Sequence, residues 1–296
     1  MKIGPFTPPH VREAILWEQE HAHELPVVLL PDIYLSIAGF TIKIASHESL
    51  NWNPVDRQFL SAFIIPPVPS VDYLLFLRGV QDQFHVPQGS IGNVVGEFAT
   101  DYWLIQTNHW RLQWKYSEPT IVECEFFLSS FECFSALRLF LAHQLLHQKL
   151  GFLLHASAAH YKNNTFIFLG CSGSGKSTSA YFSPGIILSD ETVAIISLQE
   201  KIISLGTPFG GEHFPNSTIG NNPSFLFLEK SNRNSRKAIP ARNAVAGLLS
   251  QIILFPYAPI SFWDAAGEIV KRIIEESNVE ILEVKKDGSF WKECLS

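Results

Sequence analysis

One run, Gly170-Cys171-Ser172-Gly173-Ser174-Gly175-Lys176-Ser177-Thr178, limits what this chain can fold into more than any other feature. It satisfies G-x-x-x-x-G-K-[ST] at every position and follows the apolar run Thr165-Phe166-Ile167-Phe168-Leu169. The apolar run reads as a buried strand, and the residues after Lys176 are expected to open a helix. Strand, glycine loop and helix in that order form the setting in which such a loop wraps a polyphosphate. Gly170, Gly173 and Gly175 let backbone N–H groups curl around phosphate oxygens, and a helix N-terminus adds a favourable dipole. The expected cradle comprises Gly170, Ser172, Gly173, Ser174, Gly175, Lys176, Ser177 and Thr178. Within it Lys176 would contact the β- and γ-phosphates, and the Ser177 hydroxyl would face Mg²⁺. A bound nucleoside triphosphate is the first expectation.

At 296 residues the chain has room for one large domain or two ordinary ones. It is 46% hydrophobic, 12% aromatic and only 17% charged, as a chain with a well-filled core requires. A formal charge of −6 provides no global basic field for nucleic acid or an anionic membrane surface, so neither partner is expected. Its four cysteines, Cys124, Cys133, Cys171 and Cys294, include no C-x-x-C pair and form no disulfide framework. The N-terminus has no continuous apolar segment after Lys2, and no apolar stretch is long enough to span a bilayer. A soluble cytoplasmic protein is expected, with a homo-oligomer left open.

The chain changes character near residue 135. Before it, apolar or alternating runs recur at Phe40–Ile44, Tyr73–Leu77, Tyr102–Gln106, Trp110–Tyr116 and Thr120–Phe127, and another lies at Leu25–Leu30. Breaks rich in Pro, Asn, Asp and Gly separate them, the signature of a mostly β module over residues 1–134. A helix is expected around Pro9–His21. After it, leucines at 137, 139, 141, 145, 146 and 150 mark a helix over Ala136–Leu150 closed by Gly151. A strand-like run Phe152–Ala158 precedes the glycine loop, and Ile186–Leu188 is a strand ending in Ser189-Asp190-Glu191. A hairpin at Val193–Ser197 and Lys201–Leu205, a strand at Ser224–Leu228, helices at Ala241–Leu254 and Phe262–Glu276, and a strand at Val279–Val284 complete an α/β domain over 135–296.

Several side chains carry candidate chemistry. Carboxylates at the end of a strand beside a phosphate-binding loop can hold Mg²⁺ or accept a hydroxyl proton, which makes Asp190 and Glu191 candidates. Adjacent residues in extended chain point to opposite sides, so one of the two faces the nucleotide more directly, and Asp190 is preferred. His155 ends an apolar run fifteen residues before Gly170. By itself it reads as a core or turn histidine. Gly206-Thr207-Pro208-Phe209-Gly210-Gly211-Glu212, with His213 next, reads equally as a mobile active-site segment or a surface turn. His143 and His147 are one helical turn apart but lack the Glu of H-E-x-x-H, and read as fillers of an amphipathic face. Arg233, Arg236, Lys237 and Arg242 form the densest basic cluster. One of them can reach a transferred phosphate, and a solvated loop is the plainer reading.

From about residue 136 to 290 the chain resembles the HPr kinase/phosphorylase superfamily, particularly its shorter serine-kinase-like relatives. The resemblance rests on motifs in one order: a Leu-rich helix leading to Gly151-Phe152-Leu153-Leu154-His155-Ala156-Ser157, the glycine loop, Leu188-Ser189-Asp190-Glu191, and the Gly206–Glu212 loop. It implies a phosphate-loop fold of the HPr kinase/carboxykinase type. It also implies ATP and Mg²⁺ as cofactors, with His155 and the acidic pair around the γ-phosphate. Glu191 stands where the family usually has a second Asp.

Together these readings point to an ATP- and Mg²⁺-dependent kinase transferring the γ-phosphate to a hydroxyl. The expected acceptor is a serine of a peptide, a protein or a free amino acid. Catalysis falls to Asp190, His155 and Lys176, and Mg²⁺ to Ser177, Glu191 and Asp190. The stretch from Lys176 to Asp190 is shorter than in the family, and its arginine-containing signature after the acidic pair is absent. A nucleotide-binding regulatory or assembly module therefore stays open as the alternative.

Overall fold

The computed structural model describes residues 32–46, 54–80, 95–98, 102–115, 118, 120–127, 133–198, 201–213, 215–255, 258–285 and 287–295. The helix expected at Pro9–His21 and the strand expected at Leu25–Leu30 lie outside these residues. The chain is mixed α/β with sheet predominating, and it divides into two compact units. One comprises Met1–Phe140 with Leu254–Ala258, the other Leu141–Ile253 with Pro259–Ser296. A division after residue 134 falls in the first turn of a helix, Cys133–His147.

The first unit is built on a seven-stranded sheet. Its strands are β1 (Ile33–Ile37), β2 (Phe40–Ser46), β3 (Tyr73–Val80), β4 (Val95–Phe98), β5 (Tyr102–Gln106), β6 (Trp110–Lys115) and β7 (Ile121–Phe127). Their order is β1-β2-β3-β7-β6-β5-β4. Strict alternation sends Tyr73, Leu75 and Leu77, then Trp110, Leu112 and Trp114, then Val122, Cys124 and Phe126 to one buried face. Phe140 packs edge-on to Tyr73 at 4.9 Å and to Trp114 at 5.4 Å between ring centres. The parallel pairing of β2 with β3 requires a crossover. It contains a helix the sequence patterning does not reveal, α1 (Pro54–Ser61), whose Phe59 and Leu60 are buried.

The second unit holds two sheets. A mixed sheet has the order β11-β9-β10-β15-β17-β16 and an antiparallel one the order β14-β13-β12-β8. These strands are β8 (Gly151–His155), β9 (Ser157–Tyr161), β10 (Asn164–Leu169), β11 (Ile186–Ser189), β12 (Thr192–Leu198), β13 (Lys201–Gly206), β14 (Ile219–Gly220), β15 (Pro223–Lys230), β16 (Ser235–Ala238) and β17 (Asn278–Val284). The helices are α2 (Cys133–His147), shared with the first unit by its opening residues, then α3 (Lys176–Tyr181), α4 (Ala241–Gln251), α5 (Ile260–Glu276) and α6 (Trp291–Leu295). Phe166 and Phe168 of β10 meet Trp291 at 5.2 and 5.6 Å, and the Trp291 indole N–H donates to Ser179 O of α3 at 3.1 Å. On the opposite face α4 approaches closely through Gly247, where a β-carbon would lie 2.6 Å from the Phe227 ring.

Where sequence patterning gives one strand over Phe152–Ala158, the chain forms two. It leaves the antiparallel sheet at His155 and enters the mixed sheet at Ser157, with Ala156 between. It crosses back between β11 and β12, where Asp190 and Glu191 are the two linking residues. The crossings touch, because Ala156 N–H donates to Glu191 O at 3.0 Å. β8 and β9 are both buried over consecutive residues on either side of Ala156, so the sequence pattern carries no mark of the exchange.

Candidate functional site

The glycine loop opens at the C-terminal end of β10, a central strand flanked by antiparallel β9 and parallel β15. Gly173 and Gly175 take φ of 76° and 105°, the left-handed region that glycine enters without steric cost. Among the described residues, chain neighbours apart, no heavy atom lies within 4 Å of where a β-carbon would stand at either residue, so the turn is open on that side. Ser174 is buried and, among the described residues, its hydroxyl oxygen has no hydrogen-bond partner. A buried hydroxyl without a partner is unfavourable unless something meets it, and an oxyanion is a natural acceptor for its O–H. The left-handed glycines, the open turn and this hydroxyl are compatible with a phosphate group.

Lys176 folds back on the loop. Its ammonium donates to Gly170 O at 2.9 Å and approaches Cys171 O at 3.4 Å. Burial pushes its pKa down, while Cys171 and Glu191 act in the opposite direction. Two contacts tie the first turn of α3 to the sheet crossings. Ser157 Oγ donates to Lys176 O at 2.5 Å, and Ser177 Oγ donates to Asp190 O at 3.1 Å. Lys176, Ser177, Asp190 and Glu191 are thereby brought to one corner. His155 joins them, lying opposite Thr192 in the β8–β12 ladder beside the Ala156–Glu191 bond.

Asp190 and Glu191 differ sharply. The Asp190 carboxylate is fully buried and accepts from Gly211 N (2.7 Å), Glu212 N (2.6 Å) and His213 N (3.0 Å), with His213 Nδ1 at 3.2 Å. Burial alone would raise its pKa. The His213 ring and the backbone N–H groups of Gly211 and Glu212 outweigh burial and hold it below the ordinary value of 3.8. Glu191 is half-buried beside the same loop. A β-carbon at Gly211 would lie 3.0 Å from Glu191 Oε2 and 3.4 Å from Asp190 Oδ2. The Gly206–Glu212 segment, which sequence alone leaves as either site or surface turn, is pinned to the acidic pair. Tyr181 of α3 meets the His213 ring at 5.0 Å between centres.

Two other clusters lie elsewhere in chemical character. His143 and His147 stack at 5.5 Å, with Phe262 edge-on to His143 at 5.0 Å. Burial, then the neighbouring His147, lowers the His143 pKa to about 3, which keeps its ring neutral. Arg233 and Lys237 pair with Glu283, and Arg236 with Glu280, so three members of the basic cluster bind β17 carboxylates. Among the described residues no group of three or more His, Cys, Asp or Glu could hold a metal ion by itself.

Sequence reasoning misses Gln251 at the end of α4. One terminal atom of its side-chain amide lies 3.2 Å from His155 O and 3.3 Å from Gly170 O; since both neighbours are acceptors, that atom is assigned as the amide nitrogen, which leaves the amide oxygen to accept from Ser250 Oγ. No motif marks this residue, since it reaches the site only through the packing of α4.

Neither protein-family models nor curated proteins yield a match to this chain. Among the described residues no helix is long and apolar enough to cross a membrane.

Proposed function

We propose that this chain is an ATP-dependent kinase that phosphorylates a hydroxyl, most readily a serine of a peptide, a protein or a free amino acid, with a domain of the HPr kinase/carboxykinase type. The observation that carries the proposal is the convergence of Lys176, Ser177, Asp190 and Glu191 where the two sheets exchange strands. In this reading the N–H groups of the glycine loop, Ser174 Oγ and Lys176 hold the triphosphate. Lys176 leaves Gly170 O to reach it. Ser177 would hold Mg²⁺ together with triphosphate oxygens and water, and the ion supplies neutralisation of charge on the β- and γ-phosphates.

Glu191 takes the role of proton acceptor that sequence alone favours for Asp190. Both Asp190 oxygens already accept N–H groups, and its depressed pKa makes it a weak base. Asp190 instead anchors the Gly211–His213 segment. The acceptor oxygen attacks the γ-phosphorus, its proton passes to Glu191, and the bond to the β–γ bridging oxygen breaks with release of ADP. His155, bordering Glu191, would donate to the transferred phosphoryl oxygens.

The test is transfer from γ-radiolabelled ATP into serine, peptide and protein pools. Glu191→Gln should lower turnover by about 10²–10⁴-fold while ATP binding persists. If ATP binds but no pool becomes labelled, the kinase reading fails, and the nucleotide-binding module takes its place. The extensive engagement of Asp190 is the observation that favours that second reading.

A further inference from the structure

We infer that Gln251 is a positioning residue of the nucleotide site, acting through the Gly170 carbonyl; this rests on the ATP-binding reading above. Gly170 O lies within hydrogen-bonding reach of two donors, the Lys176 ammonium at 2.9 Å and the Gln251 amide nitrogen at 3.3 Å. The same amide nitrogen reaches His155 O at 3.2 Å. One side chain thus joins the first residue of the glycine loop to the last residue of β8.

Its placement is set by the chain around it. α4 ends at Gln251, and Ile252 turns to extended backbone with ψ of 129°. Ile252 then bridges Leu154, and Ile253 N–H donates to Leu153 O at 2.8 Å. The end of α4 is therefore stitched to β8 next to His155, and the Gln251 side chain has a fixed root.

The consequence lies in the exchange that nucleotide binding demands. Lys176 must leave Gly170 O before it can meet a phosphate. A half-buried carbonyl deprived of its donor carries part of a desolvation cost. With Gln251 in place, Gly170 O keeps a donor after Lys176 departs, and the loop retains its link to β8. Without it, Lys176 is the donor left to that carbonyl among the described residues, and its release costs more. Gln251 should therefore lower the dissociation constant for ATP.

Isothermal titration of the full chain with ATP and Mg²⁺ tests this, with unfolding temperature measured in the absence of ligand. Gln251→Leu, similar in volume but without a donor, should raise the ATP dissociation constant about tenfold. Gln251→Glu should bind more weakly still at neutral pH, because a carboxylate would face two carbonyl oxygens. Its affinity should recover as the pH is lowered and that carboxyl gains a proton to donate. A purely structural role would lower the unfolding temperature of both variants without this pH-dependent recovery. Unaltered ATP affinity in a folded Gln251→Leu variant, or Gln251→Glu affinity that does not respond to pH, overturns the inference and leaves the ATP site standing. Absence of ATP binding by the unsubstituted protein overturns both.

Discussion

Both units bury a carboxylate held by full charges, Glu125 in the first and Glu283 in the second, but the second also buries Asp190 and compensates it differently. In the first unit Glu125 of β7 is held by Arg78 of β3 and Arg111 of β6, its neighbours across the sheet. Among the described residues it is the one buried polar or charged side chain of that unit. The second unit buries many, among them Ser157, Ser174, Lys176, Asp190, Thr192 and Thr207. There Asp190 is compensated by backbone N–H groups of a loop more than twenty residues away and by His213. Two full charges from adjacent strands stitch a sheet. Oriented N–H dipoles from a distant loop instead fasten that loop to the strand crossing.

The largest expected effect separates the units by activity. Lys176→Ala should reduce phosphoryl transfer by on the order of 10²-fold or more, as loss of a charge-stabilising donor does. Glu125→Gln, assayed at a temperature where it stays folded, should leave transfer unchanged. A comparable loss of transfer in Glu125→Gln would break the comparison.

Next comes stability. Asp190→Asn keeps the shape but replaces an oxygen that accepts N–H groups by an amide that donates. It should cost about 2–3 kcal/mol, read from the shift of the denaturant midpoint. Amide exchange at Gly211, Glu212 and His213 should accelerate together. If the midpoint does not move, Asp190 is not the anchor of this loop.

The last effect, the smallest per unit step of the variable changed, concerns pH. The His143 pKa falls from 6.5 unfolded to about 3 folded, so the unfolded chain binds the extra proton between those values. Folding stability should therefore decline as pH falls below 6.5, by at most about 1.4 kcal/mol per unit from this group. Asp190, depressed from 3.8, contributes stability above that pH that disappears as pH falls through its lower folded value. His143→Phe should flatten the first decline and leave the second, as followed by denaturant unfolding across the pH range.

Local patterns made much of the architecture legible. Alternation at Tyr73–Leu77 and Tyr102–Gln106 corresponds to β3 and β5, and the period of the Leu-rich stretch to α2, displaced by three residues at each end. Proline and glycine at 184 and 185 mark the break after the short α3. Other elements were hidden for physical reasons. In α1 only Phe59 and Leu60 offer buried apolar surface among its described side chains, too little for a helical period. β16 is Ser-Arg-Lys-Ala, a polar edge strand held by ion pairs to β17, and reads as a solvated cluster. The division of roles between Asp190 and Glu191 was equally out of reach, since nothing in two adjacent acids says which one a loop twenty residues on will cap.

By itself the sequence determined the strand–glycine loop–helix at Thr165–Tyr181 and the presence of an acidic pair soon after it, because glycine conformational freedom and apolar runs act over a few residues. The tertiary structure decided which groups meet. Ala156, next to His155, bonds Glu191 because the chain changes sheets twice at one corner, and Gln251 reaches Gly170 because α4 ends against β8. Such contacts join residues far apart in the chain, and only the closing of the two sheets brings them within hydrogen-bonding distance.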